Sequence, residues 1–223
     1  DSTPTSTDSN ANLRAGNLLA TGSSARDLLS NDVYDKLLIE IDYVTGFAPT
    51  AEAIANFEEF LRHHSFKEDI EFIYTALSSP NEQSLNLDEV VELERENRDE
   101  YNSGSTITVH IYESTIQEIA NSSTAVSTED VETATLIHEF GHLFGLVNLS
   151  TQSVNDHEET TINDDGVEEG NNHCNVDGCL MRSELEFGSS LLKQMESNAS
   201  KGLATIPGLD AECILDLQKY GGR

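Results

Sequence analysis

The chain has 223 residues, with 37% hydrophobic content and 12 basic against 41 acidic side chains, a formal net charge of −29. That length fits one domain, with enough apolar residues for a core. The acidity excludes a nucleic-acid partner, because such a surface repels phosphate backbones. No run of 18 or more apolar residues exists, so no membrane-spanning helix is expected.

Residues 1–15 are rich in Ser, Thr, Asp and Asn and read as a flexible tether. A tether of this composition commonly follows a lipid-modified cysteine in exported bacterial proteins. The expectation is therefore an extracytoplasmic protein (secreted, periplasmic or a membrane-tethered lipoprotein) with an anchor upstream of residue 1. Residues 16–223 then form a single domain. Asn17–Asn31 supplies leucines that can pack on it.

Lys36–Val44 is apolar and β-branched and reads as a strand. Thr50 is placed to cap a helix over Ala51–His63, whose Ile54, Phe57, Phe60 and Leu61 share a stripe. Ile70–Leu77 reads as a second strand, Leu87–Tyr101 as an amphipathic helix and Ser105–Tyr112 as a third strand. Ile116–Ala120 suggests a short helix, and Thr128 a cap for the helix that follows. Leu149–Asn172 is polar and acidic and reads as an inserted surface loop. Its D-D-G-V-E-E run does not match EF-hand spacing, so a solvated loop is preferred to a calcium site. Helices are expected over Leu185–Met195 and Asp210–Tyr220. The alternation of strand and helix predicts an α/β (α+β) fold with a mixed, mostly parallel sheet.

The chemistry concentrates at His138-Glu139-Phe140-Gly141-His142-Leu143-Phe144-Gly145, an H-E-x-x-H-x-x-G sequence. Histidines four apart on a helix share a face and can hold one cation between them. Zinc suits such a pair, and Glu139 stands beside the first ligand as a general base. Gly145 can take positive φ and turn the chain back. The histidines His63, His64 and His110 lack ligand spacing and read as surface or structural residues.

These residues resemble the metzincin metallopeptidases, in which HExxHxxG leads to a third ligand and a Met-turn. The usual third position here is Asn148, a poor zinc ligand. Further on, His173-Cys174-x4-Cys179-x-Met181 is similar to the archaemetzincin pattern. The resemblance implies His173 as the third zinc ligand, with His157 as the alternative, and Met181 as the apolar floor of the site. It also implies a structural zinc on Cys174, Cys179 and Cys213, with Asp216 at the offset of a fourth ligand. One disulfide among the three cysteines is the other reading, and the one preferred for an exported protein. The implied activity is zinc-dependent hydrolysis of peptide bonds in a peptide or protein substrate. The rival is a non-catalytic zinc-binding envelope protein of the same fold. The family's antiparallel edge strand has no clear counterpart between Tyr112 and Thr128, and Arg182 and Ser183 stand where several metzincins carry a tyrosine.

Overall fold

The computed structural model describes residues 19–78, 87–113, 126–183 and 189–223. The expected tether, the short helix over Ile116–Ala120 and most of the stretch searched for an edge strand lie outside these residues. The described elements, in order, are α1 (Ala25–Leu29), β1 (Lys36–Val44), α2 (Ala51–His64), β2 (Asp69–Leu77), α3 (Leu87–Asn97) and β3 (Thr106–Glu113). They continue with α4 (Thr128–Leu143), β4 (Glu158–Ile162), β5 (Glu168–Cys174), α5 (Ser189–Ser200) and α6 (Ala211–Lys219). No described helix is long and apolar enough to cross a membrane.

β1, β2 and β3 form a parallel sheet in the order β2-β1-β3. Strand side chains alternate between faces, and β1 divides accordingly. Leu37, Ile39 and Ile41 are at most 1% exposed and belong to the main core. Leu38, Glu40 and Asp42 point to the opposite face. The apolar face is covered by Ile54, Phe57 and Leu61 of α2 and by Leu136, Ile137 and Phe140 of α4. The Phe57 and Phe140 rings meet edge to face at 5.1 Å. Each such buried side chain contributes roughly 1.5–3 kcal/mol, so α4 is held against α2 by an apolar contact.

A polar link fixes the same pair of helices. Thr50 caps α2 as expected, its Oγ1 accepting from the Ala53 N–H at 3.2 Å. The Thr50 hydroxyl and N–H both donate to Glu132 Oε2, at 2.7 and 3.0 Å. Glu132 is fully buried. It therefore ties α4 to α2 rather than only complementing a helix dipole. The cap of α4 is Ser127, one residue before the expected Thr128; its Oγ accepts from the Asp130 N–H at 3.1 Å.

The segment 149–172 departs from the expected plain loop. Its second half begins a two-stranded antiparallel hairpin, β4 with β5. Asn163 closes the turn by accepting from the N–H groups of Asp165 and Val167, and Gly166 has φ +75°. The acidic D-D-G-V-E-E run is that turn and the start of β5. Both faces of the hairpin are polar, so no period-2 apolar signal announces it. The C-terminus closes on α2: the Arg223 N–H donates to His64 O at 3.0 Å, and its Nε to Ser65 O at 2.9 Å. His64 is buried there, whereas His63 is exposed.

Candidate metal centre

α4 is buried on most sides, so its histidines are presented from a packed rod. His138 is 1% exposed and His142 half-buried, with ring centroids 5.0 Å apart. β5 delivers His173, which is 7% exposed, to the same point. Its ring lies 5.5 Å from His138 and 4.9 Å from His142. One ring nitrogen from each of the three falls within 4.8 Å of the others.

The tautomers suit metal binding. His138 Nδ1–H donates to Leu180 O at 2.8 Å, and His173 Nδ1–H to Asn171 O at 2.8 Å. Each bond leaves Nε2 as the nitrogen that carries the lone pair. Burial, with His138 and His173 alongside, pushes the His142 pKa down to about 3. The imidazole is thus neutral at physiological pH, as a ligand must be. Behind His173 runs a polar relay: Asn171 Nδ2–H donates to Glu159 Oε2 at 3.1 Å, and the Ser183 hydroxyl donates to the same oxygen. Glu159 is held below the usual carboxylate range, chiefly by Ser183.

Glu139 behaves differently from its neighbours. It is exposed, while Ile137, His138 and Phe140 beside it are buried. That exposure leaves its carboxylate open to solvent.

Beneath the centre lies Met181, fully buried. Gly141 packs onto it so closely that a Cβ there would stand 2.3 Å from Met181 Sδ. Past α4, Gly145 (φ +73°), Val147 (+56°) and Asn148 (+62°) turn the chain sharply. Asn148 is committed elsewhere: its Nδ2–H donates to Glu158 Oε2 at 2.7 Å, and its Oδ1 accepts from the Ser153 N–H at 2.8 Å. Glu158 Oε1 accepts from the Asn172 N–H at 2.7 Å. This carboxylate clasps the start of the hairpin to its end, one residue before His173.

His157 goes to a second cluster. It is 2% exposed, with Nδ1 3.4 Å from Cys174 Sγ and Nε2 3.0 Å from Asp216 Oδ2. His157, Cys174, Asp210 and Cys213 each place one ligand atom within 4.8 Å of the rest. Cys179 Sγ lies 3.7 Å from Cys213 Sγ. The preferred disulfide is not formed: Cys174, Cys179 and Cys213 are all free, buried thiols. Their packing explains it, since three sulfurs share one locus with a carboxylate and an imidazole and none is set aside as a pair. Hydrogen bonds from Cys174 and Cys213 push the Cys179 thiol down to about 4, while its two neighbours are pushed up. The acid beside the sulfurs is Asp210, the α6 cap, at 3.0 Å from Cys174 Sγ. Asp216, expected from its offset, instead accepts from His157 and from the Val154 N–H.

Both clusters can hold a metal ion, one through nitrogen alone and the other through two sulfurs, one imidazole nitrogen and one carboxylate oxygen. Sequence reasoning missed Gly141, Glu158 and Asp210. A glycine inside an apolar helix was the one available signal for the first; the other two act through folded geometry. Comparison with protein-family models, curated proteins and solved structures returns no match.

Proposed function

We propose that the protein is a zinc-dependent metalloendopeptidase of metzincin type, with His138, His142 and His173 as ligands and Glu139 as general base. The observation that carries this reading is the convergence of three imidazoles, two buried and one half-buried, beside one exposed carboxylate. Three imidazole nitrogens suit zinc and leave a fourth position for water. Zinc bound there would polarise the scissile carbonyl and lower the pKa of a water. Glu139 takes the proton of the attacking water and returns it to the leaving amine nitrogen. Leu180 and Asn171 hold two ligand rings in their binding tautomers, and Met181 keeps the floor dry. The sulfur cluster is read as a second, structural zinc site, its N–H···S bonds from Val176 and Met181 (3.4 Å each) suiting thiolate ligands. The extracytoplasmic setting remains part of the proposal, on composition.

A non-catalytic zinc protein is the second reading. It is favoured by Arg182 and Ser183, which bond Asp177 and Glu159 where a transition-state tyrosine would be useful. Glu139→Gln separates the two readings. The amide cannot accept the water's proton, so cleavage of a broad peptide library should fall by about a hundredfold to ten-thousandfold, with zinc content and fold unchanged. Fully zinc-loaded native protein that cuts nothing in the library would support the second reading. Equal cleavage by the variant would remove Glu139 from the mechanism.

A further inference from the structure

Three ionisable side chains meet on the opposite face of the sheet from the histidine centre. Glu40 and Asp42 are two apart on β1 and so share that face. The parallel register sets His110 of β3 opposite Glu40. One ligand atom from each lies within 4.8 Å of the other two. Glu40 and Asp42 are fully buried, and the His110 side chain is 2% exposed. No spacing in the sequence announces the group, because only strand pairing brings His110 to the acids.

The location is one that binds ligands. β1 is central: the chain leaves it for β2 on one side and returns to β3 on the other. In open parallel sheets such a reversal opens a crevice at the carboxyl ends of the strands, and ligands bind there. Asp42 lies in the carboxyl-terminal half of β1, and His110 is in the middle of β3, beside Glu40.

Structural duties do not use up the lone pairs of the two carboxylates. Glu40 accepts from the N–H groups of Asp99 and Glu100 at 3.0 and 3.2 Å, one per oxygen. Each oxygen keeps further lone-pair capacity. Neither oxygen of Asp42 meets a donor in hydrogen-bonding geometry, although His110 Nε2 stands 3.0 Å from Oδ2. Burial raises the Asp42 pKa more than His110 and Thr75 lower it, and Glu40 pushes it the same way. Two adjacent buried carboxylates need more positive charge than one imidazole carries.

We infer that Glu40, Asp42 and His110 form a divalent-cation site that joins β1 to β3, independent of the histidine centre. Two carboxylates and one imidazole, without sulfur, favour an oxygen-preferring first-row ion of the manganese class.

The test is titration of the zinc-loaded protein with Mn2+ alone, free and bound ion being separated by electron paramagnetic resonance. About one Mn2+ per chain should bind, and His142→Ala should leave that binding intact. Asp42→Asn and His110→Gln should each weaken it by about tenfold or more. Pulsed spectra should show one coupled imidazole nitrogen that disappears in His110→Gln. No bound Mn2+, or Mn2+ held equally well by His110→Gln, overturns the inference. If Asp42→Asn fails to fold, His110→Gln decides alone.

Discussion

Gly141 and Met181 are in contact across the base of the histidine centre, with room between them for no additional carbon. The missing side chain in α4 lets the methionine that follows the His173 strand slide under the helix. Ligand delivery from β5 and ligand presentation from α4 are joined at this point.

Gly141→Ala tests the fit. In an open helix this change would stabilise by about 1 kcal/mol. Here the new methyl meets a buried sulfur, and overpacking costs typically about 1–3 kcal/mol. The variant should be less stable than the native protein in urea unfolding, with weaker zinc retention. In a Met181→Ala background the same change should become neutral or stabilising, and a double-mutant cycle measures the coupling.

The two histidines competing for third-ligand status should behave oppositely. His173→Ala should lower the zinc retained on dialysis and abolish hydrolysis. His157→Ala should leave the histidine centre loaded and disturb the sulfur cluster instead. Zinc and thiol content, measured by elemental analysis and thiol titration, distinguish the outcomes.

All three cysteines should react with a thiol reagent once the protein is denatured and its metal removed, since all are free. In the native, zinc-loaded state they should be protected by burial and by the metal.

Stability of the metal-free protein should depend on pH through His142. The unfolded chain takes up this proton near pH 6.5, the folded protein only near 3. Between those values the unfolded state binds more protons, so stability falls as pH falls through the window and is complete above about 6.5. His142→Gln should flatten the slope there by up to about one proton. Urea midpoints of both proteins across the window provide the check.

The strands and helices of the first half were legible because their apolar positions repeat at 2 or near 3.6 residues, as in β1 and in the Ile54–Phe57–Leu61 stripe. The His138–His142 pair was legible for the same reason: helical spacing is local. Other features depend on pairing between distant segments. His110 joins Glu40 and Asp42 only through strand register. Asp210 rather than Asp216 reaches the sulfurs because the cap residue meets Cys174, while Asp216, further along α6, is held by His157 and the Val154 N–H. The β4–β5 hairpin stayed hidden because it buries little and carries no alternating hydrophobic pattern.

Residues 173–181 serve both clusters within nine positions: His173 on one side, Cys174 and Cys179 on the other, and the Leu180 carbonyl behind His138. A segment with so many fixed endpoints has no slack in its length. Adding one residue between Cys174 and Cys179 would displace a sulfur, a carbonyl and the methionine together. The Asn163–Gly166 turn, reaching into solvent at the far end of the hairpin, carries no such obligation. Descendants of this sequence are therefore free to lengthen or shorten the hairpin tip, while the count from His173 to Met181 stays fixed.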